Sequence, residues 1–125
     1  MAKQVIWSKT PTRKDLTAAL AYLSLLCRAA RARALVAQLR RTEAVTHAAK
    51  DLLRASGLEL LPQEDKHVAA DIKRIHKRKA LSPVLLVQGD IEHGLSLTVA
   101  DGYHRICASC HFDEDAMIVC RIARG

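Results

Sequence analysis

The stretch that decides the fold is VADGYHRICASCHF, residues Val99 to Phe112. An apolar, strand-like run stops at Asp101-Gly102, and a helical pattern starts at once, with His104 and Arg105 in its first turn. A strand that passes through one glycine into a helix predicts a sheet with helices packed on it, an α+β domain. The first amides of such a helix have no intrahelical partner and carry a partial positive charge. A helix start of this kind binds phosphate or carboxylate readily. Gly102 removes the Cβ that would keep an anion away, Arg105 can fork onto two oxygens, and His104 adds a donor whose charge follows pH. Asp101 can cap the helix, hold Arg105 or hold a metal ion. The same residues also suit a plain structural turn, with Asp101 as N-cap and a solvated first turn behind it.

Outward from this junction the periods alternate. Pro83–Gln88, PVLLVQ, reads as a buried strand, residues 89–94 as a glycine-bounded turn and Leu95–Ala100 as a half-buried strand. Met117–Ile122 is a closing strand. Before them, Lys66–Lys79 has Val68, Ile72 and Ile75 at helical spacing, with Lys73, Arg74, Lys77 and Arg78 largely off that face. Ala48–Ser56 is a helix stopped by Gly57, and Thr42–His47 a short strand around Val45. At the N-terminal end Thr10 is expected to cap a helix with Pro11 in its first position. The Ala/Leu/Arg-rich sequence to Arg41 is read as two helices joined near residues 27–30. The expected organisation is a basic helical arm over residues 1–42 and a small mixed-sheet domain over 43–125.

The net charge of +7 is unevenly placed: residues 1–60 hold eleven Lys/Arg against four Asp/Glu, and residues 61–125 hold nine of each. A basic face speeds encounter with phosphates, nucleic acid or acidic protein. Half of the 125 residues are hydrophobic, which excludes a disordered chain. Four aromatics, Trp7, Tyr22, Tyr103 and Phe112, leave the core to Ala, Leu, Val and Ile.

Four cysteines in no secreted-scaffold pattern point to a reducing, cytoplasmic setting. TAALAYLSLLC, ending at Cys27, is similar to a lipoprotein signal, but Asp15, Leu26 and the following arginines argue against one. It also falls short of the roughly 20 apolar residues needed to span a bilayer. Cys107 and Cys110 form a Cys-x-x-Cys, yet Cys107 lies a turn inside its helix, away from the amides that would stabilise a thiolate. His104, Cys107 and His111 can share one face as zinc ligands, with Cys110 off it; ordinary packing is the expectation. The run IKRIHKRK could face a nucleic-acid backbone, without aromatics for base stacking.

SPVLLVQ, LTVADGYHRICAS and MIVCRI together resemble the ParB/sulfiredoxin superfamily over about residues 43–123. DGYHRICA is similar to the DGxHRxxA box of ParB-like proteins and the GGCHRxAA box of sulfiredoxins. The preceding KHVAADIKRIHKRKALSPVLLV resembles the helix and proline-led strand before that box. The resemblance implies a site for nucleotide phosphates, CTP or ATP with Mg2+, contacted by Gly102, Tyr103, His104 and Arg105. Lys66 and His67 would be further phosphate contacts. Tyr103 stands where sulfiredoxins carry their nucleophilic cysteine, so sulfiredoxin chemistry is not expected. The DNA-binding domain that follows this domain in partition proteins has no counterpart before Gly125. Where superfamily members act on phosphates, a carboxylate is needed nearby, and Asp101 and Asp71 are the candidates. The alternatives are a non-enzymatic DNA- or protein-interaction module built on the basic helices, and thiol redox chemistry at Cys107 and Cys110.

Overall fold

A computed structural model describes residues 4–125. The helices are α1 (Arg13–Leu23), α2 (Ala29–Arg41), α3 (Ala49–Ser56), α4 (Lys66–His76) and α5 (Tyr103–Phe112). The strands are β1 (Val45–Ala48), β2 (Val84–Val87), β3 (Thr98–Asp101) and β4 (Met117–Ala123). They form one mixed sheet in the order β1-β4-β2-β3. β4 runs parallel to β2 and antiparallel to β1, and β2 pairs antiparallel with β3. The fold is α+β, as the period changes along the sequence predict.

Successive residues of a strand face opposite sides of its sheet, so the fully apolar β2 requires a cover on both. Leu85 packs with Leu16, Ala19 and Leu23 of α1 and with Leu35, Val36 and Leu39 of α2. Val84 and Leu86 pack with Leu52 of α3, Ile106 of α5 and Ile118 of β4. α4 lies outside α5, burying Val68 and Ile75 against Leu81, Cys107 and Ala108. The first two helices therefore share a core with β2, β3 and β4 through Leu85, Ala100 and Ala123. Arg121 of β4 adds polar ties, donating to the carbonyls of Lys9 and Arg40.

Several element boundaries differ from the sequence reading. α1 is capped by Thr12 rather than Thr10: the Thr12 hydroxyl accepts from the Asp15 amide, and Asp15 accepts from the Thr12 amide. This reciprocal pair satisfies two orphan donors, which Thr10 and Pro11 cannot do. α4 stops at His76 because Arg78 adopts a positive φ of 59°. The amides of Arg78 and Lys79 then return to the carbonyls of Ile75 and Arg74. β3 begins at Thr98 rather than Leu95, since the Leu97 amide is drawn to the Ala55 carbonyl. The connection between α1 and α2 spans residues 24–28, overlapping the expected 27–30 but beginning three residues earlier.

Candidate functional site

β3 lies at one edge of the sheet and delivers the chain to the start of α5. Gly102 makes the turn at φ 112°, a conformation L side chains rarely adopt. A Cβ there would sit 2.9 Å from Val84 Cγ2 and 3.0 Å from Arg105 Nη2. The turn needs glycine for both conformation and room. No side chain caps α5, and among the described residues no loop carbonyl takes its first amides. α4, by contrast, is capped by Asp65, which accepts from the His67 and Val68 amides.

The start of α5 opens on a hollow of about 530 Å3. Gly102, His104 and Arg105 line it from the junction, His67, Asp71 and Arg74 from α4, and Lys14 and Asp15 from α1. Thr12, Ser82 and Asp101 complete its polar lining. The imidazoles of His67 and His104 lie 4.8 Å apart, centroid to centroid. Three of the anticipated contacts are thus joined by His67, which comes from a different helix.

Arg105 does not stand free. Its Nη2 donates to the Pro83 carbonyl at 3.1 Å and to Asp101 Oδ2 at 3.2 Å. Its Nη1 lies 3.8 Å from Asp15 Oδ1. Its Nε is buried with no hydrogen-bond partner among the described residues. The guanidinium therefore ties the start of β2, the end of β3 and the first turn of α1 together. This makes Arg105 a positioning residue, with its charge largely answered by two carboxylates.

Those carboxylates are held differently. Burial pushes Asp15 up, but the Thr12 amide, Ser82 and Arg105 outweigh it, and its carboxyl titrates below the ordinary range. Burial pushes Asp101 up to about 6, against the pull of Arg105 and with the push of neighbouring Asp15. Burial also raises Asp71, opposed by Arg105 and Arg74. Arg74 Nη1 is 3.9 Å from Asp71, a loose pair between an exposed guanidinium and a largely buried carboxylate.

Two of the anticipated phosphate contacts lie elsewhere. Tyr103 turns its ring into the cluster between α4 and α5, and its hydroxyl donates to the Glu59 carbonyl. Lys66 lines a separate groove along α4. Conversely, Lys14, Asp15, Arg74 and Ser82 line the hollow, although the sequence does not place them there. Asp15 carries one readable signal, its place three residues after Thr12 in a capping box; nothing local marks the other three.

No group of three or more His, Cys, Asp or Glu assembles as a metal site among the described residues. His111 bonds instead to the Leu61 carbonyl. A Mg2+ ion carried in by a nucleotide needs only one or two protein carboxylates, and Asp71 and Asp101 both line the hollow. Cys107 is fully buried, and burial raises both its thiol and that of Cys110. That is the opposite of what a redox pair requires. Among the described residues no helix is long and apolar enough to cross a membrane.

No family model matches this chain, and neither a curated protein nor a solved structure matches it significantly.

Proposed function

We propose that the chain is a nucleotide- or phosphate-binding protein of ParB/sulfiredoxin type, with a phosphate group held at the start of α5. The observation that carries this reading is the uncapped helix start facing a hollow lined by His67, His104, Lys14 and Arg74. Backbone amides of the first turn supply fixed donors, and the two imidazoles and two flexible cations close around the oxygens. Gly102 makes room for Val84 and Arg105, which lets the tight turn bring the first amides of α5 to the hollow. Arg105 orients Asp101 rather than grasping the phosphate.

Asp15, Asp71 and Asp101 line the same hollow and would repel a bare anion. This favours a nucleotide that arrives with a divalent cation over free phosphate. Binding of CTP, ATP or GTP should accordingly strengthen when Mg2+ is present. A second reading, phosphoryl or phosphodiester chemistry, rests on Asp101, whose carboxyl at about 6 suits a general base near neutral pH.

Thermal unfolding with phosphate, CTP, ATP and GTP, with and without Mg2+, tests both. A ligand at a hundred times its Kd should stabilise the fold by about 2.7 kcal/mol. His104→Ala should weaken binding by roughly tenfold, the loss of one hydrogen bond to a charged group. Absence of stabilisation by all four ligands, or unchanged affinity in His104→Ala, rejects the phosphate site. Under the second reading, Asp101→Asn keeps binding and abolishes nucleotide turnover.

A further inference from the structure

Lys66, Lys73, Lys77 and Lys79 line a groove of about 470 Å3 along the outer side of α4, with Arg74 beside them. Ala69 and Ala70 lie between them and add no bulk. No acidic residue lines the groove, and among the described residues none of the four lysines has a carboxylate partner. Ala70 and Arg74 line the hollow at α5 as well, so groove and hollow adjoin.

We infer that this lysine groove is a nucleic-acid backbone surface, along which a duplex lies beside the adjoining hollow. The groove stands on its own residues and does not depend on the reading proposed above. Seven residues of helix separate Lys66 from Lys73, about 10 Å, and four separate Lys73 from Lys77, about 6 Å. A DNA strand offers one charge per roughly 3.4 Å of axis, so one turn of α4 spans about two nucleotides.

The lining chemistry selects this partner over others. Lysine meets phosphate as a point charge, but it is depleted where proteins bury against proteins. The apolar side of α4 is used up: Val68 and Ile75 are buried in the core, and no large exposed hydrophobic lies on this helix. A surface that inserts into a lipid headgroup layer needs such residues beside its cations. No aromatic lines the groove, so bases have nothing to stack on. That favours a duplex, read by its backbone and without sequence preference, over a single strand.

The test is binding of the full chain to a random 20-base-pair DNA duplex across a salt series. Single-stranded DNA, poly-glutamate and phosphatidylserine vesicles serve as competitors. Four phosphate contacts give a log–log salt slope of about −3.6, roughly a hundredfold loss of affinity between 50 and 200 mM salt. The triple variant Lys73→Gln/Lys77→Gln/Lys79→Gln should flatten that slope by about 3 while its melting temperature and its response to CTP with Mg2+ stay as in the parent. A slope unchanged in the variant, or poly-glutamate or vesicles competing as well as duplex does, overturns the inference. Nucleotide stabilisation without duplex binding sinks the groove alone; duplex binding without nucleotide or phosphate stabilisation sinks the hollow and leaves the groove standing.

Discussion

Arg105 and Asp101 face each other across the turn that separates them: Nη2 of the guanidinium is 3.2 Å from Oδ2 of the carboxylate. The pair is largely buried, with side-chain exposures of 14% and 19%, and the same nitrogen also serves the Pro83 carbonyl. Removing one member of a buried ion pair strands the other, which typically costs about 3–5 kcal/mol. Arg105→Ala should destabilise by that order in urea unfolding. Arg105→Lys should recover only part of it, because one ammonium cannot span Pro83, Asp101 and Asp15 together.

Asp101 makes stability depend on pH in an unusual direction. Its folded carboxyl titrates near 6 against an ordinary 3.8. Between those values the folded state holds a proton that the unfolded state has released. The contribution of Asp101 is therefore fully present below about pH 4 and is lost as pH rises through 6. A carboxyl raised that far is linked to at most about 3 kcal/mol of stability. Relative to Asp101→Asn, the parent should lose stability by up to that amount between pH 4 and pH 7. Identical pH profiles for parent and variant would show that Asp101 is not so perturbed.

Asp15 works with the opposite sign. Its lowered folded titration means that its contribution is present above the ordinary range and disappears as the solution is acidified. Asp15→Asn should flatten the acid limb of the unfolding curve. Thr12→Ala, which removes the hydroxyl half of the same capping box, should cost about 1 kcal/mol at neutral pH.

Gly102→Ala tests the junction directly. The methyl would meet Val84 Cγ2 at 2.9 Å, and Val84 is fully buried and cannot yield. With the left-handed backbone strain added, a loss of about 2–3 kcal/mol is expected in denaturant unfolding. Gly57→Ala has the strain without the clash, since nothing lies within 4 Å of its Cβ direction. It should cost less.

The thiols give a chemical check on the packing. Cys107 and Cys120 are fully buried, and burial pushes the Cys120 thiol to about 11. In the native protein a thiol reagent at pH 8 should label Cys27 and Cys110 first. Cys107 and Cys120 should react only at the rate of unfolding. Rapid native labelling of Cys107 would reopen the redox reading.

Local chemistry carried much of the architecture. The fully apolar run at Val84–Val87 required a strand covered on both faces, and the glycine between Asp101 and Tyr103 required a sharp junction there. Helical spacing of Val68, Ile72 and Ile75 placed α4, and the weakening apolar phase after Leu26 placed the break between α1 and α2. Each of these signals lies within about a dozen residues, the range over which periodicity and turn chemistry act. The junction was legible for the same reason, down to Gly102 and His104.

The tertiary structure alone decided who meets whom. Arg105 reads as a free anion ligand in the sequence, but folding brings Asp15 to it from ninety positions away and Pro83 from twenty-two. Tyr103 opens α5, but its ring packs against the cluster between α4 and α5. The sequence reads residues 1–42 as a basic helical arm without saying where it packs, and the structure places Leu16, Ala19, Leu35 and Leu39 in one core with Leu85 of the sheet. Periodicity shows which face of a helix is apolar and never which surface will cover it. That choice is made by burial between segments distant in the chain; the hollow at α5 is its product, whereas the groove beside it is lined by residues 66–79 alone.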